Sequence, residues 1–131
     1  MVKFPGKTVL IVDDDEDIRT AIKAALEDFE VTIKTTGNGN QAVDMIQQEV
    51  PDLLVLDQML PGRSGFLVME KLKRGKAKND PPRVIMITGN QGARHKVYAQ
   101  SLGVDVYLNK PFRMERLVEA VIKLIGSEAR Q

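Results

Sequence analysis

The stretch Thr8-Val9-Leu10-Ile11-Val12-Asp13-Asp14-Asp15 carries the information that decides the fold. The run is too short for a helix of ordinary length. It is also too uniformly apolar for a strand with one wet face, so it reads as a strand buried on both sides. Such a strand must be covered above and below, and helices do that in layered α/β domains. The residues that follow supply the first cover. Ile18, Ala21, Ile22, Ala25 and Leu26 recur at helical spacing, with Asp14 or Asp15 as the cap and Glu16 and Asp17 in the first turn.

The same alternation continues to the end of the chain. Val31 to Thr35 reads as a β-branched strand, and Ala42, Val43, Ile46 and Val50 as a helix halted by Pro51. Leu53-Leu54-Val55-Leu56 is a second fully apolar strand, and it runs into Asp57. Pro61-Gly62 signals a turn before a helix bearing Phe66, Met69 and Leu72. A polar loop from Arg74 to Pro82 precedes the strand Val84-Ile85-Met86-Ile87-Thr88. Gly89, Asn90 and Gly92 then lead to a helix with Ala93, Val97, Tyr98 and Leu102. Val104 to Leu108 is a fifth strand. Met114, Leu117, Val118, Val121, Ile122 and Ile125 form the last helix, which Gly126 is expected to end. The expected domain is residues 1–126, followed by a tail over 127–131.

Five strands alternating with five helices, joined by right-handed crossovers, predict a doubly wound parallel α/β sheet. A flavodoxin-like (βα)5 arrangement with strand order 2-1-3-4-5 suits five units. The length of 131 residues fits one domain, and 43% hydrophobic content is that of a folded chain. The chain has no cysteine, which removes disulfides and thiolate metal sites. A net charge of +1 gives no drive toward nucleic acid. No apolar stretch approaches the length of a membrane span. The expectation is a cytoplasmic protein that engages neither nucleic acid nor membrane directly.

In such a sheet, ligands bind beyond the carboxyl ends of the strands, near the switch in strand order. There the sequence places Asp13 and Asp14 after strand 1, Asp57 after strand 3, Thr88 after strand 4, and Asn109, Lys110 and Pro111 after strand 5. Three carboxylates brought together repel one another and call for a cation, and an all-oxygen acidic site suits Mg²⁺. A carboxylate can also attack phosphorus to give an aspartyl phosphate. Lys110 would add positive charge and Thr88 a hydroxyl donor.

With these residues in place, the segments VLIVDDDEDIR, DLLVLDQMLPGRSG, VIMITG and YLNKPF resemble the hallmark segments of response-regulator receiver domains, from about Lys7 to Ile125. The resemblance implies a two-component signalling switch in which a histidine kinase or phosphotransfer protein phosphorylates Asp57, with slow self-catalysed dephosphorylation. It implies metal ligation by Asp13, Asp14, Asp57 and the Met59 carbonyl. Catalytic contacts would come from Lys110 and Thr88, and Tyr107 would be the switch aromatic. It further implies a cis Lys110–Pro111 bond. A downstream partner would meet the face of helix 4, strand 5 and helix 5, near Arg94, Lys96, Arg113 and Arg116, and the chain would be a monomer or a phosphorylation-dependent dimer. Met59 and Asn90 occupy positions that tune phosphoryl lifetime.

Two residues depart from the family pattern: Gly89 stands where alanine is commoner, and Gln58 where an apolar residue is more usual. Met45, Met59, Met69, Met86 and Met114 read as core filler. His95 reads as part of a solvated helix face, and the Lys71 to Lys78 stretch as a solvated loop.

Three other readings compete. An aspartyl-nucleophile phosphohydrolase would need an acid two residues after the nucleophile, where Met59 stands. A flavin module would need a phosphate loop where four acids follow strand 1. A receiver module excised from a larger kinase or transcription factor stays open beside a stand-alone regulator.

Overall fold

A computed structural model describes residues 2–73, 80–89 and 92–129 of the chain. Five strands, β1 (Thr8–Val12), β2 (Thr32–Thr36), β3 (Leu53–Asp57), β4 (Arg83–Thr88) and β5 (Val106–Asn109), form one parallel sheet in the order β2-β1-β3-β4-β5. Between and after them run α1 (Glu16–Leu26), α2 (Gly39–Gln48), α3 (Gly65–Lys73), α4 (Ala93–Ser101) and α5 (Met114–Ala129). A single 3-10 turn, Glu27–Phe29, trails α1. The order expected from the sequence is the order found.

The two-residue period of the strands divides the core. Val9, Ile11, Leu53, Val55, Ile85 and Ile87 face one way and pack with Ile22 and Leu26 of α1 and Leu117, Val121 and Ile125 of α5. Leu10, Val12, Leu54, Leu56, Val84 and Met86 face the other way, against Ala42, Val43 and Ile46 of α2, Val68 and Met69 of α3, and Ala99 of α4. Alternate side chains of a strand must point to opposite faces, so each buried strand contributes to both clusters. β2 lies at the sheet edge, and only Thr36 among its residues is buried.

The starts of α1 and α2 follow from short polar side chains. Asp15 Oδ1 accepts from the amides of Asp17 (2.9 Å) and Ile18 (3.4 Å), so Asp15, not Asp14, is the cap of α1. Asn38 Oδ1 does the same for Asn40 and Gln41 at the start of α2.

Five expectations change. α2 ends at Gln48, so Val50 lies beyond it and is exposed. β2 begins at Thr32 rather than Val31. β5 begins at Val106 rather than Val104, because Val104 is buried in the turn whose amide bonds Ala99 O at 3.1 Å. In α4, Val97 and Tyr98 are exposed. The side packed on the sheet is Ala99, with Leu102 three residues on and just beyond the helix, and small Ala99 lets α4 approach. Gly126 does not end α5, which runs to Ala129. A glycine stops a helix by taking a left-handed conformation. Gly103, at φ 96°, does so just after α4, whereas Gly126 has no positive φ and follows buried Leu124 and Ile125. The polar loop over 74–79, within the Lys71 to Lys78 stretch, lies outside the described residues.

Two glycines should respond oppositely to alanine. A Cβ on Gly39 would lie 1.8 Å from the Arg63 carbonyl oxygen, so Gly39→Ala should cost about 2 kcal/mol or more by forcing α2 from the loop before α3. Nothing lies within 4 Å of a Cβ on helical Gly126, so Gly126→Ala should gain about 0.5 kcal/mol. Urea unfolding of the two variants reads both signs.

Candidate functional site

β1 and β3 are adjacent and parallel, with Val12 paired to Leu56. The next residue on each strand is an aspartate, so the register alone sets Asp13 beside Asp57. Both are 2% exposed, while Asp14 is open to solvent. One carboxylate oxygen from each of Asp13, Asp14 and Asp57 lies within 4.8 Å of the others.

Lys110 reaches this cluster from the far side of the sheet. Its amide bonds the Thr88 carbonyl at 2.7 Å, and the Lys110–Pro111 bond is cis. The Nζ lies 3.3 Å from Asp13 Oδ2 and 3.3 Å from Asp57 Oδ2, bridging the two buried acids. The second oxygen of each acid is held by backbone. Asp13 Oδ1 accepts the Asp15 amide at 2.9 Å, and Asp57 Oδ1 accepts the Met59 amide at 3.1 Å.

This arrangement leaves negative charge in excess, three carboxylates against one ammonium. Burial, then repulsion from Asp13, push the Asp57 carboxyl up to about 6, against the opposing pull of the Met59 amide and Lys110. Burial by itself would lower the Lys110 ammonium; attraction from Asp57 and Asp13 outweighs it and raises the group. A site built of carboxylate oxygens with surplus negative charge has the donor chemistry of a hard divalent cation such as Mg²⁺.

Thr88 lies on the opposite face of the sheet end from Asp57, completely buried. Its hydroxyl lies 3.4 Å from Gln58 Oε1 and hydrogen-bonds the Tyr107 side chain. Burial raises the Tyr107 phenol, and the Thr88 contact opposes that rise. Tyr107 is half-buried against the cluster under α3 and α4.

The structure therefore brings Asp13, Asp14, Asp57 and Lys110 together, sets the Met59 peptide against Asp57, and links Thr88 to Tyr107. The Met59 side chain is not core filler: it is 64% exposed, and it is the Met59 amide that bonds Asp57. His95 is not on a fully solvated face. It is half-buried, with its ring edge-on to Phe66 at 5.8 Å. Asn90 lies outside the described residues.

Three supporting residues escaped the sequence reading. Arg19 Nη1 donates to the Asp13 carbonyl at 2.6 Å and fills space that a Cβ on Gly37 would invade. Gly65 packs against the Asp57 backbone, where a Cβ would sit 2.6 Å from the Asp57 carbonyl oxygen. Gln58 was visible only as an unusual polar residue. The signal for Arg19 was its place one turn after the Asp15 cap; for Gly65 it was a second glycine just after the Pro61-Gly62 turn.

Comparison with known proteins agrees with this geometry. The family described as response regulator receiver domain matches residues 9–122. The chain belongs to this family. The phosphate regulon transcriptional regulatory protein PhoB of Pseudomonas aeruginosa is 40% identical over 124 residues, which cover 92% of this chain and 54% of that protein. The chain thus spans about half the length of that curated relative. Among solved structures, the receiver domain of a Francisella response regulator superposes with TM-score 0.85 at 26% identity, covering 94% of this chain and 99% of that one. A CheY-like response regulator receiver domain protein from Methanospirillum hungatei gives TM-score 0.81 at 27% identity, covering 95% and 97%. The receiver fold and its role as a signalling switch in two-component systems are thereby shown for this chain. Among the described residues, no helix is long and apolar enough to cross a membrane.

A carboxyl raised from 3.8 to about 6 favours its protonated form in the fold. Its contribution to stability is full below about pH 4 and is lost as pH rises through 6. In buffer free of divalent cations, Asp57→Asn should therefore stabilise the domain at pH 7.5 by on the order of 2 kcal/mol, with the gain vanishing near pH 4. Urea midpoints of both proteins across that range provide the check.

Proposed function

We propose that Asp57 is the phosphoacceptor of this receiver and that its donor is the phosphohistidine of a histidine kinase or phosphotransfer protein. The observation that carries the reading is the Lys110 ammonium, 3.3 Å from both Asp57 and Asp13. It lies beside the oxygen that would attack, where it would meet the oxygens of an incoming phosphoryl group.

In the transfer, an Asp57 carboxylate oxygen forms the new bond to phosphorus. The bond from phosphorus to the donor imidazole nitrogen breaks, and the imidazole takes up a proton. With its pKa at about 6, Asp57 is mostly ionised at neutral pH and available for attack. Lys110 donates to the phosphoryl oxygens, and the Thr88 hydroxyl supplies a further donor once it turns toward them. Asp13, Asp14, Asp57 and the Met59 carbonyl would hold Mg²⁺, whose charge would offset that of the transferring group. Attack by water on phosphorus returns the free carboxylate, so the chain would act catalytically only on its own acyl phosphate.

Signal output would follow from the Thr88–Tyr107 link. Drawing Thr88 toward the phosphoryl group would release or re-seat Tyr107 and bias the surface of α4, β5 and α5 between two arrangements. Arg94, Lys96, Arg113 and Arg116 are all exposed and would set partner choice there, with the protein acting in the cytoplasm. Met59 and Asn90 would tune how long the acyl phosphate lasts.

Incubation with acetyl phosphate and Mg²⁺ should add the mass of one phosphoryl group, and Asp57→Asn should abolish the addition. Lys110→Met should slow labelling by about 10²-fold. Full labelling of Asp57→Asn would remove the phosphoacceptor role from Asp57.

A further inference from the structure

We propose that Gln58 is a positioning residue for the switch: its carboxamide oxygen holds the Thr88 hydroxyl in the resting protein, in competition with a phosphoryl group on Asp57. The inference rests on the phosphoacceptor reading of Asp57 and adds a restraint that activation must break.

Register places the two residues together. β3 pairs with β4 from Leu53↔Arg83 to Asp57↔Ile87, and one further step along both strands sets Gln58 opposite Thr88. The two-residue period then turns Gln58 and Thr88 to the same face, the one that carries Leu54, Leu56, Val84 and Met86. Asp57 points to the other. The backbone of Gln58 is fixed at both of its polar groups. Its amide donates to the Ile87 carbonyl at 2.9 Å, and its carbonyl accepts the Gly65 amide at 2.9 Å. With the main chain held, the half-buried side chain has a narrow reach, and it ends at Thr88 Oγ1 at 3.4 Å.

The competition follows from proton count. A threonine hydroxyl has one proton to donate. While that proton is directed at Gln58 Oε1, it is not available to a phosphoryl oxygen on Asp57. The Tyr107 phenol is bonded to the same Thr88 hydroxyl; with the Thr88 proton on Gln58, the phenol donates its own proton to Thr88 Oγ1, so a restraint on Thr88 is also a restraint on Tyr107. An apolar side chain at position 58 has no acceptor for the Thr88 proton. The polar residue here therefore biases the resting arrangement by the worth of one neutral hydrogen bond.

The test uses the full chain with Mg²⁺ and beryllofluoride as the phosphoryl mimic, in the wild type, Gln58→Leu, Thr88→Ala and the double variant. Gln58→Leu should bind the mimic more tightly by roughly three- to ten-fold. In ligand-free protein it should also shift the Tyr107 ring resonances. In the Thr88→Ala background, Gln58→Leu should change affinity by less than about two-fold, because the coupling passes through the missing hydroxyl. Gln58→Met, similar in length and equally without an acceptor, should match Gln58→Leu and guards against a folding defect in one variant. Unchanged affinity in both single variants at position 58, or an equal gain with and without Thr88, overturns the role of Gln58. A wild type that binds no mimic overturns instead the phosphoacceptor reading and, with it, the competition.

Discussion

Two buried carboxylates sharing a single ammonium is the constraint around which the rest of the structure is arranged. Asp13 and Asp57 are each almost wholly withdrawn from water, and Lys110 lies 3.3 Å from both. Withdrawing one uncompensated carboxylate from water costs several kcal/mol, and two in contact cost more. The fold carries that cost and keeps both acids in a place where water is scarce. The surroundings hold the acids in place: the Asp15 and Met59 amides each bond the second oxygen of one acid, and Arg19 ties the Asp13 carbonyl to α1. The site is thus poised rather than relaxed, with charge left over for a cation to neutralise.

The sheet separates two tasks. Asp13 and Asp57 continue the face packed under α1 and α5, whereas Gln58, Thr88 and Tyr107 belong to the face under α3 and α4. Chemistry at the acids and mobility of the aromatic are therefore kept apart along most of the molecule. In the proposed switch they would meet where the strands end, at the hydroxyl of Thr88. On that reading, a change on one side would reach the other through that one group without disturbing the core between them.

Most of this was legible because it depends on short-range pattern. Leu53 to Leu56 and Val84 to Ile87 are apolar throughout, which only a strand covered on both faces requires. The acids follow because parallel neighbours end together. What escaped depends on distance in space. In α4, Val97 and Tyr98 had the same claim to burial as Ala99 and Leu102. Ala99 and Leu102 pack into the cluster with α2 and α3, whereas Tyr98 and His95 lie edge-on against Phe66. Gly126 had the letter of a helix stop but not its backbone conformation. Gln58 showed only polarity; its partner lies 30 residues away and becomes visible when strand register is known.

Gly65 shows how far the demand of the proposed phosphoacceptor extends. It bears no side chain, meets no ligand and carries no charge, yet its Cα lies so close to the Asp57 carbonyl that even a methyl group has no room. In a saturation survey of every position, it would score with the reactive acids rather than with the loop it belongs to. A chemist asking which residues react would never name it. Tolerance to substitution therefore measures crowding around Asp57 as faithfully as it measures chemistry.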